Sequence, residues 1–232
     1  MKHFLIIIIS LFVIACSSSQ NSSSKIVTPN SQAYLALGDS YTIGEKVAEN
    51  SRWPNQLAEK LIDKGFSTSN TKIIAKTGWR TDQLIKATNS QDLEKNFNLV
   101  SLLIGVNNQF QKKSIQEFEG DLKVLIEFAI SKSENGAKGV FVVSIPDYGI
   151  TPFGKTLKRN NISSEIDEFN SSIKNIAKHY TVKFIDITDI SRSYPNDYDL
   201  IADDKLHPSS KMYTKWVDAI YPEVLKMLEE VK

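Results

Sequence analysis

Five short apolar runs, each followed by a stretch of helical periodicity, set the fold class of this chain. The runs are 33–37, 72–75, 99–104, 139–145 and 182–186. The third, Leu99-Val100-Ser101-Leu102-Leu103-Ile104, is apolar on both faces, as central strands of a parallel sheet are. Between the runs lie helical stretches at 54–62, from Thr81 onward, at 114–133, at 163–180, and from Pro208 to the end. In the stretch 114–133, Ile115, Phe118, Leu122, Leu125, Ile126 and Ala129 share one side. Strand–helix alternation of this kind predicts a five-stranded parallel sheet with helices on both faces, a three-layer α/β/α sandwich. Residues 33–232 are the length of one such domain, and no internal repeat interrupts them.

Of the 232 residues, 41% are apolar, enough for a sizeable core, and the formal charge is +1. That balance carries no polyelectrolyte signature, so nucleic acid is not an expected partner.

The N-terminus is of another kind. Met1-Lys2-His3 gives a basic start, and an apolar run follows to Ala15. The run is too short to span a bilayer and suits the hydrophobic region of a signal peptide. It ends Val13-Ile14-Ala15-Cys16. A cysteine directly after small residues resembles the bacterial lipobox, whose cysteine becomes the lipidated N-terminus. Residues 1–15 are therefore expected to be a signal peptide, and Cys16 the lipidation site. Residues 16–32, rich in Ser, Asn and Gln, read as a flexible tether. The expected location is the bacterial cell envelope, exported and membrane-held through the lipid. Cys16 is the only cysteine, so the domain has no disulfide, no thiolate nucleophile and no cysteine metal site.

In open α/β sheets, ligands bind at the carboxyl ends of the strands. The first run ends there in Gly38-Asp39-Ser40. Ser40 is either a presented nucleophile or, with Asp39, only a cap for the turn; Asp39 itself reads as structural. Of the three histidines, His3 lies in the leader, which leaves His179 and His207 as bases. His179, beside Lys178 near a helix end, reads as a surface residue favoured by the helix dipole. His207 follows Asp204 by three residues, so one turn sets both on one side; Asp203 is the competing carboxylate. Ser40, His207 and Asp204 then form a triad for ester cleavage: attack, proton transfer, and orientation of the imidazole. The Ser40 N–H, the Gly78 N–H and the Asn107 amide are suitable oxyanion donors, although Asn107 also suits a plain turn. Two histidines in unrelated segments form no metal-ligand pair, and no metal or cofactor is expected. The serine does not sit in the Gly-x-Ser-x-Gly elbow of α/β-hydrolases.

Four blocks in order, Gly38-Asp39-Ser40, Gly78, Gly105-Val106-Asn107-Asn108 and Asp204-Lys205-Leu206-His207, resemble those of the SGNH hydrolase (GDSL esterase/lipase) superfamily. The resemblance covers about 33–226. It implies a flavodoxin-like strand order and a largely exposed site, with Ser40, Asp204 and His207 as triad and Ser40, Gly78 and Asn107 as oxyanion hole. Two positions depart from the pattern: Tyr41 where leucine gives the family its name, and Asn108 where aspartate is usual. Both adjoin the site and bear on substrate preference. Tyr41, Trp79, Arg80 and Asn108 are candidates for a substrate pocket, and Trp53, Phe110, Tyr148 and Phe153 for aromatic walls. The implied substrate is a small-molecule, lipid or glycan ester. The alternatives are a carbohydrate O-acetyl esterase and, from another class, a catalytically silent surface binding lipoprotein.

Overall fold

The computed structural model describes residues 31–93 and 97–231. The expected signal peptide, Cys16 and most of the tether lie outside the described residues. Five parallel strands, β1 (Ser31–Gly38), β2 (Ser67–Ala75), β3 (Leu99–Leu103), β4 (Val140–Val143) and β5 (Lys183–Ile185), form one sheet in the order β2-β1-β3-β4-β5. β1 is paired on both sides, with Leu35 opposite Lys72 on β2 and opposite Val100 on β3. The expected sandwich and strand order are both present.

The helices, in chain order, are α1 (Ser40–Ile43), α2 (Trp53–Ile62), α3 (Thr81–Asn89), α4 (Val106–Phe110), α5 (Ile115–Lys132), α6 (Pro152–Thr156), α7 (Ile162–His179), α8 (Thr188–Arg192) and α9 (Ser210–Glu229). α2 packs on α9, and α5 on both α3 and α7. Local chemistry fixes several helix starts. Ser114 accepts the Glu117 N–H at 3.2 Å while Glu117 Oε2 accepts the Ser114 N–H at 3.2 Å, a reciprocal cap for α5. Ser209 caps α9 by accepting the Met212 N–H. The sequence pattern overlooks α1, α4, α6 and α8, which have four or five residues each and show no period.

One close approach positions the site. A Cβ on Gly38, the last residue of β1, would lie 2.4 Å from the Leu103 carbonyl oxygen and 2.2 Å from Thr42 Oγ1. The carboxyl ends of β1 and β3 thus meet at a distance only glycine permits. Gly120, on α5, meets nothing within 4 Å. Gly38→Ala is expected to lower unfolding free energy by about 2 kcal/mol or more through overpacking. Gly120→Ala should raise it by about 0.5–1 kcal/mol through helix propensity. Chemical denaturation of the two variants checks both signs.

Candidate active site

Residues from four strand ends line a cavity of about 240 Å³: Ser40 and Tyr41 after β1, Val106, Asn107 and Phe110 after β3, Tyr148 and Phe153 after β4, and Leu206 and His207 after β5. The site grows from the turn that closes β1. Asp39 caps α1, its Oδ1 accepting the Tyr41 N–H at 3.0 Å. This turn leaves Ser40, 5% exposed, on the cavity wall.

The segment 202–208 is folded on itself. Ala202 donates its N–H to the His207 carbonyl at 2.8 Å, and Ile201 bridges Pro208. Asp204 Oδ1 accepts the N–H groups of Leu206 and His207, each at 3.0 Å, and Oδ2 lies 2.6 Å from His207 Nδ1. Partial burial pushes the Asp204 carboxyl up, but the hydrogen bonds from the His207 ring and these two N–H groups outweigh it and hold the carboxyl below its ordinary range. Asp203 is exposed and takes no part in these contacts. An imidazole whose Nδ1 is fixed by a carboxylate has Nε2 free to exchange a proton with a hydroxyl in the same cavity. Tyr41 supports the ring edge-on, with centroids 5.9 Å apart, and itself rests on Trp216 at 6.1 Å.

Asn107 lines the cavity, and its Nδ2 donates one N–H to the Trp79 carbonyl at 2.9 Å. The amide carries two N–H bonds, so a second donor is left over. Gly78 has φ +85°, and its N–H has no hydrogen-bond partner among the described residues. It does not line this cavity.

Three expected pocket residues lie elsewhere. Arg80 grips Asp82 through Nε and Nη2, each at 2.9 Å, and reaches Gln111 through Nη1 at 2.7 Å. Asn108 is buried, with Oδ1 accepting the Thr81 N–H and Nδ2 donating to Thr81 Oγ1 at 2.7 Å. Trp79 packs against the core, and Trp53 is wholly buried against Phe141. Of the expected pocket set, Tyr41 lines the cavity, and of the expected aromatic walls Phe110, Tyr148 and Phe153 do; Val106 and Leu206 complete the walls. Phe110 contacts Tyr148 edge-on at 6.0 Å and Phe153 at 6.4 Å. Val106 and Leu206 stand inside the motif blocks but are not among the residues expected in the pocket; each adjoins a motif residue, and that adjacency is the signal that points to them. His179 is exposed on the last turn of α7, remote from the cavity lining. Among the described residues, no group of three or more His, Cys, Asp or Glu is placed to hold a metal ion.

A family model for the GDSL-like lipase/acylhydrolase family matches residues 36–215. No curated protein matches the sequence significantly. Similar solved structures include a lipase/acylhydrolase from Enterococcus faecalis, 18% identical, TM-score 0.66, covering 87% of this chain and 97% of that one. TesA is 14% identical with TM-score 0.65 over 84% and 99% of the two chains. Axe2, an acetylxylan esterase from Geobacillus stearothermophilus, is 16% identical with TM-score 0.64 over 84% and 94%. At these identities the likeness establishes the fold.

Beneath Ser40, Asp39 is fully buried, and burial pushes its carboxyl up to about 7 despite the N–H groups of Tyr41 and Gly105 that face it. Its folded pKa exceeds the unfolded value, so this group's contribution to stability is largest at low pH and is lost as pH rises from about 4 to 7. Asp204, shifted the opposite way, acts only below that window. The chain is expected to lose up to about 4 kcal/mol between pH 4 and 8 from Asp39. Urea denaturation across that range should show a flatter slope in Asp39→Asn than in the parent.

Proposed function

Because the chain belongs to the GDSL-like lipase/acylhydrolase family and is a carboxylic ester hydrolase, we propose that it works through Ser40, His207 and Asp204, with the Ser40 N–H, the Gly78 N–H and the Asn107 amide as oxyanion donors. The observation that carries this reading is the shared cavity: Ser40, Asn107 and His207 line one wall system, and His207 is anchored by Asp204 at 2.6 Å. Ser40 Oγ attacks the ester carbonyl, and His207 Nε2 takes the hydroxyl proton. Asp204 holds the imidazole with Nδ1 protonated and stabilises the imidazolium as it forms. The carbonyl oxygen, now an anion, receives hydrogen bonds from the spare Asn107 N–H and the backbone donors. His207 returns the proton to the departing alcohol. Water then repeats the sequence on the acyl-enzyme, releasing the acid and restoring Ser40.

The cavity favours an acyl chain over a bare acetyl group. Away from Ser40, Asn107 and His207 its walls are apolar and aromatic, and its volume of about 240 Å³ exceeds what an acetyl group alone would fill. This apolarity weighs against a carbohydrate acetyl ester as the preferred substrate.

Purified full-length chain and p-nitrophenyl esters from acetyl to dodecanoyl test the proposal. Ser40→Ala is expected to abolish turnover while the fold persists, and Asn107→Ala to lower kcat by about 10²–10³. Undiminished turnover in Ser40→Ala would overturn the assignment. A rate highest on the acetyl ester would overturn the acyl-chain reading alone.

The N-terminal segment supports a second proposal: Cys16 carries a lipid and holds the enzyme in the bacterial envelope. Metabolic labelling with an alkyne fatty acid is expected to tag the parent and leave Cys16→Ser untagged. An untagged parent would refute it.

A further inference from the structure

Four of the five connections that leave the carboxyl ends of the strands carry a lysine in the left-handed backbone region. They are Lys46 (φ 69°) between β1 and α2, Lys112 (φ 56°) between β3 and α5, Lys158 (φ 51°) between β4 and α7, and Lys205 (φ 65°) between β5 and α9. Among the described residues, Thr181 is the other non-glycine with positive φ. This conformation suits glycine and, less well, Asn or Asp, because a Cβ crowds the following carbonyl. Lys112 and Lys158 directly follow the C-caps of α4 and α6, the place where glycine commonly ends a helix. Each of these helices has five residues, too short for a large dipole to reward a cation.

All four lysines are exposed. Lys112, Lys158 and Lys205 join no ion pair among the described residues, and Lys46 meets only its neighbour Glu45, at 3.7 Å. Three acids on the same connections are engaged, Asp82 with Arg80, Glu165 with Arg159 and Asp197 with Lys211, while Glu49 and Asp203 stay exposed and outside any ion pair among the described residues. Lys112, Lys158 and Lys205 outnumber these two free carboxylates, so the connections around the cavity keep an excess of unpaired positive charge. Within it Phe110, a wall residue, stands 41% exposed two residues before Lys112.

We propose that this face docks on an anionic lipid bilayer, with the lysines on the headgroup phosphates and Phe110 at the acyl boundary, so that the cavity opens onto the membrane. Charge complementarity points to an anionic partner. The exposed ring and the apolar cavity among the lysines point to lipid, since a soluble polyanion would engage the cations alone. Glycine would satisfy the same backbone at all four positions, so the turn geometry itself does not call for the lysine side chains.

The test uses the full-length chain in its unlipidated Cys16→Ser form, with Phe110→Trp as reporter and the same chain with Phe110 as the parent background. Of the native tryptophans, Trp53 and Trp216 are fully buried and Trp79 is half-buried. Vesicles of phosphatidylglycerol and brominated phosphatidylcholine are expected to quench the reporter beyond the parent's background. Vesicles of brominated phosphatidylcholine alone should give little excess, and about 0.5 M salt should remove the effect. Adding Lys46→Gly, Lys112→Gly and Lys158→Gly should hold Tm, because glycine fits these φ values. The same changes should weaken docking about fivefold per charge, about a hundredfold together. Turnover of a dissolved ester by that triple variant, with Phe110 intact, should match the parent. No excess quenching on anionic vesicles, or quenching that the triple variant retains, would overturn the proposal. Binding of dextran sulfate without quenching by vesicles would assign the rim to a polymeric anion and overturn it too. Loss of dissolved-ester turnover in every protein with quenching intact would instead strike the hydrolase assignment and leave the surface standing.

Discussion

The approach of Gly38 to the Leu103 carbonyl is the constraint on which the proposed catalytic geometry depends. With no side chain between them, β1 and β3 end together, and the two loops that follow share one space. Asp39 fills it, fully buried, with the N–H of its own turn at Tyr41 and the N–H of Gly105 from the other loop both facing its carboxyl group. Gly105 is constrained from the far side as well. It has φ +129°, and a Cβ there would meet Phe118 at 2.6 Å and Ile145 at 2.9 Å. Ser40 and Asn107, one residue beyond Asp39 and two beyond Gly105, therefore inherit fixed positions. The buried carboxyl is the unfavourable element of this arrangement, and its raised pKa measures how much.

The histidine half of the site is built by different means. Nothing in the sheet dictates where His207 falls, since β5 ends at Ile185, more than twenty residues earlier. Its position comes from hydrogen bonds closed within 202–207, three of them made by Asp204. Two contacts then register this loop against the rest: the Tyr41 ring against the imidazole, and the Phe153 N–H on the Lys205 carbonyl at 3.1 Å. The second contact ties a wall of the cavity to the loop bearing His207. In both halves the polar contacts are local or buried, and aromatic packing rather than surface charge supports them.

The parts legible in the sequence are those encoded by period and by rare residue types. Strands apolar on both faces, long amphipathic helices and a sequence with few histidines give the sheet, its order through family resemblance, and the short list of Ser40, His207 and Asp204. What adjacency cannot give is side-chain direction. Arg80 lies beside Gly78 but turns to Asp82, two residues on. That Val106 and Leu206 face the cavity cannot be read from a period, because α4 and the turn at 204–207 are too short to carry one. The left-handed turns at Lys46, Lys112, Lys158 and Lys205 leave no trace in the sequence, because lysine carries no turn signal.

Asn108 shows how a departure from a family pattern acquires a physical reason. Thr81 Oγ1 accepts a hydrogen bond from Asn108 Nδ2 and donates its own proton to Asp121 Oδ2 at 2.7 Å. The chain runs donor to acceptor from α4 through α3 to α5, and it needs a donor at its head. Aspartate at position 108 would place two carboxylates on one hydroxyl with a single proton to share, in a buried setting where an unpaired charge is unfavourable. An amide at 108 and a carboxylate at 121 are thus one choice rather than two. Because Asn107 hangs from the turn that this chain pins, its spare N–H depends on a hydrogen-bond polarity set two helices away.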